Sequence, residues 1–181
     1  MAIVGLLIAI PVTILVTGGG DAPPAQPLAE IEVKAPEVGP QKVQDSLGVK
    51  LRVPDGWTRN EKQNVLELQS KDGAARVAIS APGPAADANA LHSQVIAGLR
   101  TSYDDFEVGK RIEKAPVGGL KGEATVISGK TPGKNGETQR ILVSTAEGKE
   151  RAYLVVVFTT DQASSSVLEA QALVNNLRFT K

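Results

Sequence analysis

"TQRILVSTAEGKERAYLVVVFTT", residues 138–160, contains two strands and the turn between them. TQRILVSTA alternates apolar and polar side chains as a half-buried strand does. Glu147-Gly148 supplies the turn, and the run Leu154 to Phe158 then has no polar position at all. Such a run predicts a central strand covered on both faces. Upstream, LKGEATVISG reads as another strand, joined to the first through Asn135-Gly136, so the three form an antiparallel meander. Before them FEVGKRIEK is read as one further strand. VLELQS and ARVAISA flank Lys71-Asp72-Gly73, a hairpin signal, and GVKLRVPDGW alternates Val49, Leu51 and Val53 against Lys50 and Arg52 before turning at Pro54-Asp55-Gly56.

Two helices bracket this strand-rich core. Asp87 is placed to cap the first, whose apolar stripe is Leu91, Val95, Leu99 and Tyr103. In the second, Ser166 and Glu169 have capping-box spacing, and Ala170, Leu173, Val174 and Leu177 make the buried stripe. Two helices around a mainly antiparallel sheet give an α+β class.

The chain divides into three regions. Residues 1–17 are apolar apart from two Thr and Pro11 and carry no charge. As a helix, Ala2 to Thr17 would be roughly 24 Å long, slightly short of a hydrocarbon core of about 30 Å. We expect a membrane helix there. No basic residue precedes it and no clear small-x-small cleavage site follows, which favours a retained anchor over a cleaved signal, with secretion after cleavage as the alternative. Acidic Asp21, Glu30 and Glu32 come before the first Lys, so the C-terminal part is expected outside the cell membrane. Residues 18–45, rich in Pro and Gly, read as a spacer, and residues 46–181 as the folded domain.

Composition excludes several classes of function. There is no cysteine, hence no disulfide framework, thiolate metal site, catalytic Cys or lipidated Cys. Net charge is zero and aromatics are 3%, so nothing points to a nucleic-acid partner or a base-stacking platform. Gly129-Lys130-Thr131 looks like the end of a phosphate loop. The Gly five positions earlier is replaced by Ala124, and a strand rather than a helix follows, so the triplet is read as a turn between strands.

His92, the sole histidine, is read as a partly exposed helix residue, since a general base needs a partner to orient it. Ser164 to Ser166 read as a capping run. Asp104, Asp105 and Glu107 lack regular calcium-loop spacing and are read as a solvated loop. That leaves Trp57, which either seals the core or anchors a partner, and the basic group Lys110, Arg111, Lys114 with Lys121. The basic group is either a solvated sheet edge or a contact for anionic headgroups. Trp57, Lys110, Arg111 and Lys114 are therefore the partner-binding candidates. No catalytic residue, metal ligand or cofactor site is identified, and the hydrolase possibility rests on Ser or carboxylate residues that only folding could assemble.

VKLRVPDGW together with YLVVVFTT and VLEAQALVNNLRF resembles the PsbP-like superfamily, in particular bacterial extracytoplasmic proteins of the LpqN and DcrB type. The matching positions are the turn at Pro54, Gly56 and Trp57, the late strand Tyr153 to Phe158, and the closing Leu177 and Phe179. The resemblance covers about residues 46–180. It implies an α/β/α sandwich, no established catalytic activity, and an accessory, assembly or binding role at membranes. The LpqN-type relatives are lipoproteins; this chain lacks the lipid-bearing Cys, so a peptide anchor would stand in its place. The function expected is a membrane-anchored envelope module that binds a protein or lipid, with a carrier of an apolar ligand between sheet and helix as the alternative.

Overall fold

The computed structural model describes residues 41–82, 87–133, 135–160 and 164–179. The apolar segment Ala2 to Thr17 and the spacer up to residue 40 lie outside them. Among the described residues no helix is long and apolar enough to cross a membrane.

Eleven strands and two helices follow one another among the described residues: β1 (Gln41–Ser46), β2 (Val49–Pro54), β3 (Thr58–Lys62), β4 (Val65–Gln69), β5 (Ala75–Ser80), α1 (Ala88–Arg100), β6 (Asp104–Val108), β7 (Ile112–Val117), β8 (Leu120–Lys130), β9 (Thr138–Glu147), β10 (Ala152–Thr160), α2 (Ser165–Asn176) and β11 (Arg178–Phe179). The large sheet runs β3-β4-β5-β10-β9-β8-β6, with β7 also paired to β8. A small sheet, β1-β2-β11, takes in residues 41–45 at the end of the stretch read as spacer. Every pairing among the described residues is antiparallel.

The Leu154 to Phe158 run decides the architecture, as expected. It lies in β10, between β5 and β9, where alternate side chains must be apolar in both directions. Tyr153, Val155 and Val157 join Leu66, Leu68, Val77 and Ile79 in a core shared with Leu173 of α2 and Leu51 of the small sheet. Leu154, Val156 and Phe158 join Ile127, Ile141 and Val143 on the other face, under Val95, Ile96 and Leu99 of α1. A helix thus covers each face, the α/β/α sandwich.

Local chemistry corrects several details. The FEVGKRIEK stretch is two strands, not one: β6 and β7 lie end to end along β8, and between them Gly109 N–H donates to Val126 O at 2.8 Å. Asp104, Asp105 and Glu107 belong to edge strand β6, not to a loop, although all three stay exposed. The N-cap of α2 is Ser164, whose hydroxyl accepts from Ser166 N–H, so the Ser166/Glu169 capping box does not form. Glu169 instead accepts from the Trp57 indole N–H at 2.7 Å. Asp87 does cap α1, as expected. Gly129 lies within β8 against Tyr103, and the chain turns after it into β9 rather than into a helix.

Candidate functional site

A polar site forms where β7, β8 and β9 meet the first turn of α1. The β7–β8 hairpin turns through Gly118–Gly119, both at positive φ, which a two-residue turn between Val117 and Leu120 uses. Two residues before Pro116 the ladder bulges: Lys114 takes φ +60, and the register shifts between Glu113 and Ala115. A bulge turns a side chain away from the direction the regular pleat would give it.

The break between β6 and β7 has a second effect. It lets Arg111 reach back, donating to Asn89 Oδ1 on α1 and pairing with the Glu123 carboxylate on β8. Arg111 therefore ties the sheet edge to the helix start. Over this tie opens a cleft of about 450 Å³, lined by Asp87, Asn89, Glu113, Lys114, Lys121, Glu123, Thr145 and Glu147 among others. A second cleft of about 720 Å³ shares Lys121 and Glu147 with it and continues to Lys149, Glu150, Arg151 and Tyr153. Together they make a trough with alternating charge along one end of the sheet.

His92 sits beneath the first cleft. It is not partly exposed, as its sequence position suggested, but fully buried (0% exposed). Its Nε2 lies 2.9 Å from Thr125 Oγ1 and its Nδ1 3.1 Å from Thr145 Oγ1, so the ring spans β8 and β9. Loss of hydration holds its pKa below 6.5, with the Arg111 charge adding to the shift and Glu123 opposing it. With no solvent contact and both nitrogens engaged, the ring is a structural pin in this conformation rather than an accessible base.

A second polar group lies at the N-terminal end of α2. The Asp72 carboxylate accepts from Ser70 Oγ at 2.7 Å, from Ala74 N at 3.1 Å and from Ser164 Oγ at 2.8 Å. These hydrogen bonds, that from Ser70 first, hold its pKa well below the usual carboxylate range. It is a joint between the β4–β5 hairpin and the helix cap, and lines neither of the two clefts.

The four partner-binding candidates are not brought together. Lys114 lines the trough, Lys121, from the same basic group, lines both its halves, and Arg111 holds two of its lining residues, Asn89 and Glu123. Lys110 is exposed in the break beside them. Trp57 precedes β3 at the opposite edge of the large sheet, half-buried against the α2-side core. Its hydrogen bond to Glu169 makes it a packing residue first. Among the described residues no group of three His, Asp or Glu side chains is placed to hold a metal ion. The His92–Thr125–Thr145 bridge escaped the sequence reading. Its signal was present, because His92, Val95, Ile96 and Leu99 fit helical spacing better than a stripe begun at Leu91.

No family model matches the chain, and no curated protein matches it in sequence. Solved structures do match. The Ran-binding protein Mog1p of Saccharomyces cerevisiae superposes with a TM-score of 0.53 at 7% identity, over 78% of this chain and 96% of that one. Cyanobacterial PsbP (CyanoP) from Synechocystis sp. PCC 6803 gives 0.53 at 10% identity, over 77% and 91%. LpqN of Mycobacterium tuberculosis, involved in cell envelope biogenesis, gives 0.49 at 16% identity, over 74% and 83%. The first two superpositions show a fold of the Mog1/PsbP-like type, in line with the resemblance drawn from Pro54, Gly56, Trp57 and the closing strand and helix.

Proposed function

With the Mog1/PsbP-like fold as premise, we propose that this chain is a membrane-tethered accessory module on the outer side of the cell membrane, which binds a polar partner and catalyses nothing itself. The observation that carries the binding part is the trough: an open surface lined by Lys114, Lys121, Lys149 and Arg151 interleaved with Glu113, Glu147 and Glu150. Interleaved charge of both signs favours a partner that presents both signs in return, as a folded protein surface does, and sets register and specificity more than affinity. The non-catalytic part is supported by the burial of His92 and the lack of any cysteine. The tether and its orientation rest on the apolar segment Ala2 to Thr17 and on the acidic residues that follow it.

The carrier alternative gains less support. An apolar ligand between sheet and helix would have to displace Val95, Ile96 and Leu99 on one face, or Ala170 and Leu173 on the other, all of which already pack on the sheet.

Membranes holding the full chain provide the test. Wild type and a Lys114→Glu/Lys121→Glu variant are solubilised, captured and compared. We expect an envelope protein retained by wild type, lost from the double variant and kept by Lys62→Glu at the far edge. An identical protein set from all three chains would count against the trough, as would an apolar molecule carried through native mass spectrometry. Release of the chain from membranes by alkaline washing would refute the tether separately.

A further inference from the structure

The two edges of the large sheet are built differently. At one, β6 and β7 are broken at Gly109 to Arg111 and shifted in register near Asp105 and at Lys114. They also carry Pro116, which has no N–H to give. Each device hinders a further strand from docking. The opposite edge among the described residues, β3, has none of them. Its five residues stay in unbroken register with β4, from Thr58 opposite Gln69 to Lys62 opposite Val65, and all five are exposed.

The hydrogen-bond phase of β3 follows from its turn. A two-residue loop, Gln63–Asn64, joins Lys62 to Val65, which makes that pair the hydrogen-bonded one. By alternation, the backbone N–H and C=O groups of Arg59 and Glu61 point away from β4. The strand itself reads Thr-Arg-Asn-Glu-Lys, with opposite charges set symmetrically about Asn60.

We infer that β3 is a self-docking edge, through which two copies of this chain pair antiparallel about a two-fold axis at Asn60. In that register Arg59 of one copy faces Glu61 of the other, and the symmetry makes the pair twice. The same two residues carry the outward backbone groups, so ladder bonds and charge pairs coincide. The neighbouring symmetric registers fail: an axis at Glu61 sets carboxylate against carboxylate, and an axis at Arg59 sets guanidinium against guanidinium. Within each copy Arg59 and Glu61 already pair with each other, and docking exchanges these two exposed contacts, one per copy, for two across the interface. Five residues of strand fall well short of a standard interface of about 1,200–2,000 Å², so the association is weak and responds to local concentration. This edge is separate from the trough, and the inference holds or fails independently of the function proposed above.

The absence of cysteine makes the test clean. In the proposed dimer, Asn60 faces Asn60 of the second copy at a non-hydrogen-bonded position. Cα atoms there lie about 4.5 Å apart, inside disulfide range. The full chain carrying Asn60→Cys, in detergent under mild oxidation, should form a covalent dimer in clear excess over a Glu113→Cys control on the opposite edge. Adding Arg59→Glu or Glu61→Arg should lower the yield roughly four- to thirty-fold. Mixing those two variants should restore it, because an acidic edge then meets a basic one. An unchanged thermal transition shows that these exposed substitutions leave the fold intact. The inference is overturned by a yield no higher than the control, by indifference to charge reversal, by a mixture that stays monomeric, or by Glu61→Cys cross-linking better than Asn60→Cys.

Discussion

At the residue scale, His92 makes the largest demand on its surroundings. An imidazole at 0% exposure between two neutral hydroxyls has no carboxylate in contact to hold a proton, and Arg111 opposes one while Glu123 compensates in part. Its folded pKa therefore lies below the unfolded value of 6.5. As the pH falls through that value the unfolded chain takes up a proton that the folded chain refuses, so stability decreases with acidification, by at most about 1.4 kcal/mol per pH unit. Urea midpoints measured from about pH 7.5 to about pH 5 should decline, and His92→Gln should flatten the decline. An equal slope in both proteins would mean that another group carries it. Asp72 does not compete in this window. Its carboxyl pKa is lowered from 3.8, so its contribution is complete above that value and is lost only in stronger acid.

At the scale of elements, turns and caps decide how the layers join. Gly118 and Gly119 both occupy the left-handed region, at φ +58 and +86, but only Gly118 lies against the core. A Cβ there would come within 2.4 Å of the Phe179 ring, which stacks on Tyr153 at 3.9 Å between centroids. At Gly119 the nearest neighbour is the flexible Arg178 side chain, 3.6 Å away. Gly119→Ala should cost the backbone strain alone, about 1–2 kcal/mol, and Gly118→Ala about 3–4 kcal/mol, because Phe179 must also move. Equal losses in chemical denaturation would show that β11 yields without cost. The same elements mark what could be read beforehand. β2, β4, β5 and the β8–β10 meander were legible because each buries at least one face, which leaves a pattern of alternating or continuous apolar residues. β3 was not, since a wholly exposed edge strand leaves no such pattern. β11 is too short to show one, and the division between β6 and β7 follows from pairing with β8 rather than from local preference. At the site, Arg111 and Lys114 were visible as a basic group. The tie to Asn89 and Glu123 was not, because it joins residues that are neighbours only through the fold.

At the scale of the whole molecule, the two helical layers are unequally held. α2 buries Ala170 and Leu173, is fixed at its start by Ser164 on Asp72, and runs on through Leu177 into β11, which pairs with β2. α1 contributes Val95, Ile96 and Leu99, all only partly buried, over Ile127, Ile141, Val143 and Val156. Its other attachments to the sheet include the His92 bridge and the Arg111 contact at Asn89. A layer with less buried apolar surface and more of its hold in polar contacts is the one to open first. Hydrogen exchange at neutral pH should therefore show residues 88–100 exchanging through a partial opening while residues 165–176 and β10 await global unfolding. Acidification should make α1 open more readily, because an opened α1 frees His92 to bind the proton that the closed form excludes, while global unfolding frees it equally and leaves the gap between the two free energies unchanged. Equal protection of the two helices, or an α1 opening insensitive to pH, would count against that order, and the trough at the start of α1 would then be a rigid surface rather than one coupled to the state of a single histidine.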